Sequence, residues 1–218
     1  MNTKQKLSLI LNLLIFVLAA FSAVAMFVGF SFMGESSRFT AIGFEEFKYF
    51  TVDSNVFAGL VSLLIVLRIL CKKETKSPLW LSVLKLAATT AVTLTMMVTV
   101  FFLAPTSSGG YFSLFLNSNL FMHLIIPLLC IVSFVFFEPC NIPFKLTATA
   151  AVPMLLYAVY YGGNILLHLE NGQTSSKYDW YGFLGGGMQT FPVVIIGIAL
   201  LTWGFALALW KANRIANK

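Results

Sequence analysis

SNLFMHLIIPLLCIVSFVFFE, residues 118–138, runs for twenty residues without a charged side chain and reaches one, Glu138, only at its end. A helix of about 20 apolar residues, rising 1.5 Å per residue, covers the roughly 30 Å hydrocarbon core of a bilayer. Five further windows of this kind flank it, at about 7–30, 51–70, 79–104, 145–168 and 189–210. The whole chain is 59% hydrophobic and 10% charged, against about 45–50% apolar and about 25% charged in a soluble domain. Backbone crossing lipid must satisfy its own hydrogen bonds, and these windows are too long for barrel strands. The sequence therefore predicts an all-α integral membrane bundle of six transmembrane helices, with residues 1–218 forming one domain.

The connections between windows are short and leave no room for a second domain. Lys4 and Lys6 ahead of the first window, with Ala23-Val24-Ala25 inside it, resemble a signal peptide, but the apolar run continues to about Phe32 and reads as a span. Basic residues are unevenly placed. Lys4, Lys6, Arg68, Lys72, Lys73, Lys76, Lys85, Lys145, Lys211, Arg214 and Lys218 fall at one face, and Arg38, Lys48 and Lys177 at the other, which is eleven against three. By the positive-inside rule both termini are expected in the cytoplasm. The net charge of +6 is then juxtamembrane, suited to anionic lipid and not to nucleic acid. Cys71, Cys130 and Cys140 form no C-x-x-C pattern and read as packing residues.

Of the connections on the outer side, 31–50 carries Phe39, Ile42, Phe47 and Phe50 among charged residues and suggests a short interfacial helix. The connection 105–117 holds Gly109 and Gly110 in an uncharged turn, and 169–188 ends in YDWYGFLGGG, whose Tyr178, Trp180 and Tyr181 suit an aromatic belt. Gly162-Gly163 and Gly185 to Gly187 follow no strand, so they read as close helix approach or a turn, not a phosphate cradle.

Polar side chains inside spans are costly, so their positions carry information. Thr51, Asp53, Ser54 and Asn55 occupy the outer turn of the second window. Asn119 and His123 stand four apart in the fourth, hence on one helix face, and Tyr160, Asn164 and His168 repeat that spacing in the fifth. Gln189 and Thr190 begin the sixth. Four helices thus bring polar residues to one outer layer, while the cytoplasmic half is expected to be nearly free of them. Isolated interhelical contacts of this type are worth only about 0.6 kcal/mol and would scatter in depth; a layer points to a cavity open outward.

Such a cavity has one pairing with obvious chemistry. A threonine hydroxyl needs an adjacent base to attack an acyl carbon, and a histidine of pKa about 6.5 suits that role. Thr51 and His123 are the candidates. Asp53, Asn55, Asn119 and Asn164 remain open as the orienting or oxyanion-donating group, and Tyr160, His168, Tyr181 and Gln189 as cavity wall. Two histidines with Asp53 as the nearby carboxylate make a thin ligand set without H-x-x-x-H spacing, so no metal or other cofactor is expected.

FKYFTVDSN, NLFMHLIIPLL with histidine four after asparagine and proline four after histidine, and DWYGFL late in the chain together resemble the androgen-induced / androgen-dependent TFPI-regulating protein family. That resemblance, as to a distant bacterial-type relative, implies a six-helix membrane protein acting as a threonine hydrolase on fatty acid esters of hydroxy fatty acids. It places the nucleophile on Thr51, the histidine on His123 and the preceding asparagine on Asn119. The family's aspartate three after the threonine is replaced by Ser54, with Asp53 one place earlier, and its Y-P-F-L by Tyr181-Gly182-Phe183-Leu184. A lipid or fatty-acyl ester substrate in the inner (plasma) membrane of a bacterium is the corresponding expectation, with a small transporter or a lipid-binding membrane protein using the same cavity as the alternative.

Overall fold

The computed structural model describes residues 1–34, 41–72, 77–170, 172, 175, 177–184 and 188–218. Arg38, Phe39, Lys73, Lys76 and Gly185 to Gly187 lie outside the described residues. Among the described residues, six helices are long and apolar enough to cross a membrane: α1 (Thr3–Phe27), α2 (Phe50–Cys71), α3 (Leu79–Leu103), α4 (Ser118–Phe137), α5 (Phe144–Leu167) and α6 (Phe191–Ala216). The expected multi-pass, six-helix membrane bundle is the fold found. α1 starts earlier than its apolar window because Asn2 and Gln5 form a reciprocal capping box, Gln5 N donating to Asn2 Oδ1 at 2.8 Å and Asn2 N to Gln5 Oε1 at 2.9 Å.

α3 is the central helix, packing against α2, α4, α5 and α6. α1 lies outside α2 and α4, and it approaches α2 closely at Gly59, where a Cβ would meet Ala19 Cβ at 2.8 Å. Gly162 of α5 similarly receives the Phe191 ring that opens α6, the close helix approach expected there, whereas a Cβ on Gly163 would meet nothing within 4 Å.

The half of the bundle holding the chain termini is not free of polar residues, contrary to expectation. Lys85, counted from sequence among juxtamembrane charges, is 1% exposed inside the bundle. Its Nζ donates to Asn12 Oδ1 at 2.6 Å and Ser62 Oγ at 3.1 Å, and lies 3.6 Å from Glu138 Oε1. Asn12 Nδ2 donates to Glu138 Oε1 at 2.7 Å and Ser133 Oγ at 3.1 Å, and Ser133 Oγ donates to the same carboxylate. One network therefore joins α1, α2, α3 and α4. α6 completes this end: Asn213 Nδ2 donates to Phe134 O (2.6 Å) and Glu138 O (2.9 Å), and Asn217 Nδ2 to Val135 O (2.9 Å). These carbonyls end α4 and lack helical partners of their own.

The connections differ from their sequence reading in detail. Within 31–50, the helical segment among the described residues is a short 3-10 helix at Gly43–Lys48. The uncharged connection holds a 3-10 turn at Tyr111–Phe115. Of the cysteines, Cys130 is in the core, Cys140 donates to Asn213 Oδ1 at 3.3 Å, and Cys71 is exposed and so is not a packing residue.

Lys85→Met strands Glu138 as a buried, unpaired acid, and a loss of about 3–5 kcal/mol is expected for removing one partner of such a pair. Adding Glu138→Gln should recover most of it. Thermal unfolding in detergent measures both; a single variant as stable as the double contradicts the pairing.

Candidate functional site

Pro127 shapes the turn that carries His123. α4 is α-helical at Ser118–Leu120, π-helical at Phe121–Ile125 and α-helical again from Ile126, whose N–H bonds to Phe121 O, five residues back. In that register the next N–H would bond to Met122 O, and proline has none. Asn55 Nδ2 of α2 fills the gap, donating to Met122 O at 3.1 Å while also donating to Thr51 O at 2.7 Å. One amide thus ties the Thr51 turn to the residue before His123.

His123 is 1% exposed and packs edge-on against Phe115. Its Nδ1 lies 2.7 Å from Leu114 O. A carbonyl only accepts, so Nδ1 carries the proton and the neutral ring leaves its lone pair on Nε2. Of the sequence candidates for the group that orients the imidazole, neither Asp53, Asn55, Asn119 nor Asn164 hydrogen-bonds to the ring. The Leu114 carbonyl does, and no side-chain pattern could have shown it.

Thr51 stands in the first turn of α2 and lines a cavity of about 80 Å³ between α2, α3, α5 and α6. Its hydroxyl has no hydrogen bond among the described residues. Phe50, Thr95, Thr99, Met154, Phe183 and Phe191 contribute to an almost wholly apolar wall. Tyr181 lines it as expected. Tyr160, His168 and Gln189 do not: Tyr160 and Gln189 are exposed, and His168 stacks on Tyr178 at 3.9 Å with Nδ1–H donated to Asn164 O at 2.8 Å. Their places are taken by Tyr157 and Tyr161, on the neighbouring face of α5. Asp53 faces a separate crevice with Phe57, Leu156 and Tyr160. His123 is absent from the Thr51 cavity wall, and no hydrogen bond joins the two side chains.

DWYGFL has a structural role at this cavity. The Asp179 carboxylate accepts from Phe183 N and Leu184 N, each at 3.0 Å, and from the Tyr161 hydroxyl. This folds Tyr181 over the cavity, where its hydroxyl accepts from Phe50 N at 2.9 Å and so caps α2. Trp180 Nε1 donates to Tyr157 Oη at 3.1 Å, and Tyr157 Oη donates to Lys48 O at 2.6 Å. Trp180 and Tyr181 are thus packed against Tyr49, Tyr157 and Tyr161, and burial holds the Tyr181 hydroxyl's pKa above its ordinary value.

Polar atoms without partners gather at this end of the bundle. Ser22 Oγ, Glu46 Oε2, Asn55 Oδ1, Ser118 Oγ, Asn119 Nδ2 and Asn164 Nδ2 are all buried and unbonded. Glu46 belongs to the turn packed on α1 and α2, and burial, with the charge of Asp53 as a lesser cause, raises its pKa from 4.5 to about 7. An acid with a raised folded pKa binds its proton more tightly when folded, so stability falls as pH rises from 4.5 to about 7 and stays low above it. Glu46→Gln should therefore raise the unfolding temperature at about pH 8 and leave it nearly unchanged at about pH 4.5; equal shifts at both, read by thermal unfolding in detergent, contradict this. Comparisons of the chain with family models, with curated proteins and with solved structures give no match.

Proposed function

We propose that the protein is an intramembrane lipid-ester hydrolase in which Thr51 is the nucleophile and His123 the general base. The observation that carries the reading is the Asn55 bridge, which holds the Thr51 and Met122 carbonyls on one amide and keeps the two candidate side chains on adjoining turns. The Leu114 contact supports it, because it leaves Nε2 unprotonated, as a base requires. In this mechanism the Thr51 hydroxyl attacks the acyl carbon and its proton passes to His123 Nε2. The tetrahedral oxyanion forms near the positive N-terminal end of α2. It collapses by expelling the alkoxide, which takes the proton from His123. A water, deprotonated by the same nitrogen, then releases the acid and restores Thr51.

The apolar, aromatic wall suits an acyl group. At about 80 Å³ the cavity is smaller than one of about 150 Å³ that admits benzene, so it takes the reacting end of the acyl group and the chain continues toward lipid. Fatty acid esters of hydroxy fatty acids are the substrate class the family resemblance implies. With both termini in the cytoplasm, as the basic residues suggest, the site faces the outer leaflet, in this reading of a bacterial inner membrane. The separation of His123 from the Thr51 cavity favours one second reading, a non-enzymatic lipid-binding protein or small transporter that uses the same cavity without turnover.

Purified protein should label with a fluorophosphonate and hydrolyse a long-chain lipid ester. Thr51→Ala should abolish both, and His123→Ala should lower kcat/KM by about 10²–10⁴-fold, the usual contribution of a general base. Undiminished labelling of Thr51→Ala displaces the nucleophile; a wild type that neither labels nor hydrolyses leaves the binding-protein reading.

A further inference from the structure

A second cavity, of about 270 Å³, lies between the end of α1 and the segment that leads into α4 and shares no lining residue with the Thr51 pocket. Its wall includes Met26, Phe30, Ala41, Ile42, Ser118 and Asn119. Ser118 and Asn119 are 2% and 3% exposed, yet Ser118 Oγ and Asn119 Nδ2 have no hydrogen-bond partner. Buried polar groups are ordinarily paired, and an unpaired pair in a cavity wall calls for a polar guest.

The mouth is held by Asn117, a non-glycine residue at φ 54°. Its Oδ1 accepts from Phe32 N at 2.7 Å and Met33 N at 2.6 Å, and its Nδ2 donates to Gly34 O at 2.7 Å. This clamp fixes the chain leaving α1 against the chain entering α4. Outside it the rings of Phe21, Phe32 and Phe121 touch one another, and Val24 and Val28 are exposed along the same end of α1. The cavity wall is thus mostly apolar, with Ser31, Asn117, Ser118 and Asn119 as its polar residues, and apolar side chains are exposed beside it at the end of α1.

We infer that this cavity binds the uncharged polar head of a lipid, a hydroxyl or ester carbonyl, with the acyl chain leaving along the aromatic ridge of α1. Asn119 Nδ2 can only donate, so it requires an acceptor oxygen, and Ser118 Oγ can donate or accept. None of the described wall residues is charged. A carboxylate or phosphate buried there would meet no cation among the described wall residues, which disfavours it. The site does not depend on Thr51 being a nucleophile.

The test uses the full chain in detergent with a monoacylglycerol bearing a diazirine and an alkyne in its acyl chain. After irradiation, mass spectrometry maps the labelled peptides. Label should fall on the end of α1 around Val24 and Val28 and on Phe32, along the path of the acyl chain, and be competed by unlabelled monoacylglycerol. It should be unchanged in Thr51→Ala and about tenfold or more weaker in Ser118→Ala/Asn119→Leu, which forfeits both hydrogen bonds. Ala41→Phe, which fills the cavity and keeps both polar groups, should also lose it, so a folding defect in one variant does not decide the result. A free fatty acid at about pH 8, carrying the disfavoured charge, should fail to compete. Labelling that excess lipid does not compete, that persists in both variants, or that falls only on the Thr51 cavity at Tyr157 and Phe191 overturns the inference. Equal competition by the fatty acid overturns the uncharged head.

Discussion

The ion pair of Lys85 and Glu138, closed inside the bundle by Asn12, Ser62 and Ser133, is the constraint on which the helix arrangement depends. Taking an ammonium and a carboxylate out of water costs several kcal/mol each, and only close pairing with further hydrogen bonds offsets that cost. Here the partners come from four helices: Asn12 from α1, Ser62 from α2, Lys85 from α3, Ser133 from α4 and Glu138 directly after it. Sliding any of these helices along its neighbour by a turn would strand a charge. Apolar side chains alone give no such register, since lipid is as apolar as leucine.

The opposite end is organised by the reverse condition. There the fold leaves polar atoms unpaired, on Asn55, Ser118, Asn119 and Asn164, and interrupts α4 with a π-helical turn at His123. A bundle pinned at one end by a satisfied network can carry unsatisfied groups at the other, and π-turns of this kind recur at functional sites. The Thr51 pocket and the cavity beside Asn119 share no lining residue, and Asn55 ties the Thr51 turn to α4 through the Met122 carbonyl.

The six spans were legible because hydropathy and length are set by the bilayer and need no tertiary information. The polar residues of the spans were legible too, since an Asn, Thr or His in an apolar window stands out, but which of them share a cavity was not. The ion-pair network was not, because Lys85 lies only a turn or two inside α3 and reads as a juxtamembrane charge until α1 and α4 are packed around it. On α5 the polar stripe of Tyr160, Asn164 and His168 drew attention to the wrong face. Tyr157 and Tyr161 line the pocket instead, four residues apart on a face that looks apolar because their hydroxyls are spent on Lys48 O and Asp179. Pro127 was visible as part of a motif, but its effect, freeing the Met122 carbonyl for Asn55, required the backbone.

Under the proposed mechanism Thr51 carries an acyl group during turnover. Rapid acid quench of the protein with a long-chain ester, followed by peptide mass mapping, reads this directly. The expected result is an acyl adduct on Thr51 that accumulates when His123 is replaced by a weaker base and is absent from Thr51→Ala; an adduct on another residue, or ester turnover by Thr51→Ala at the wild-type rate, contradicts the mechanism.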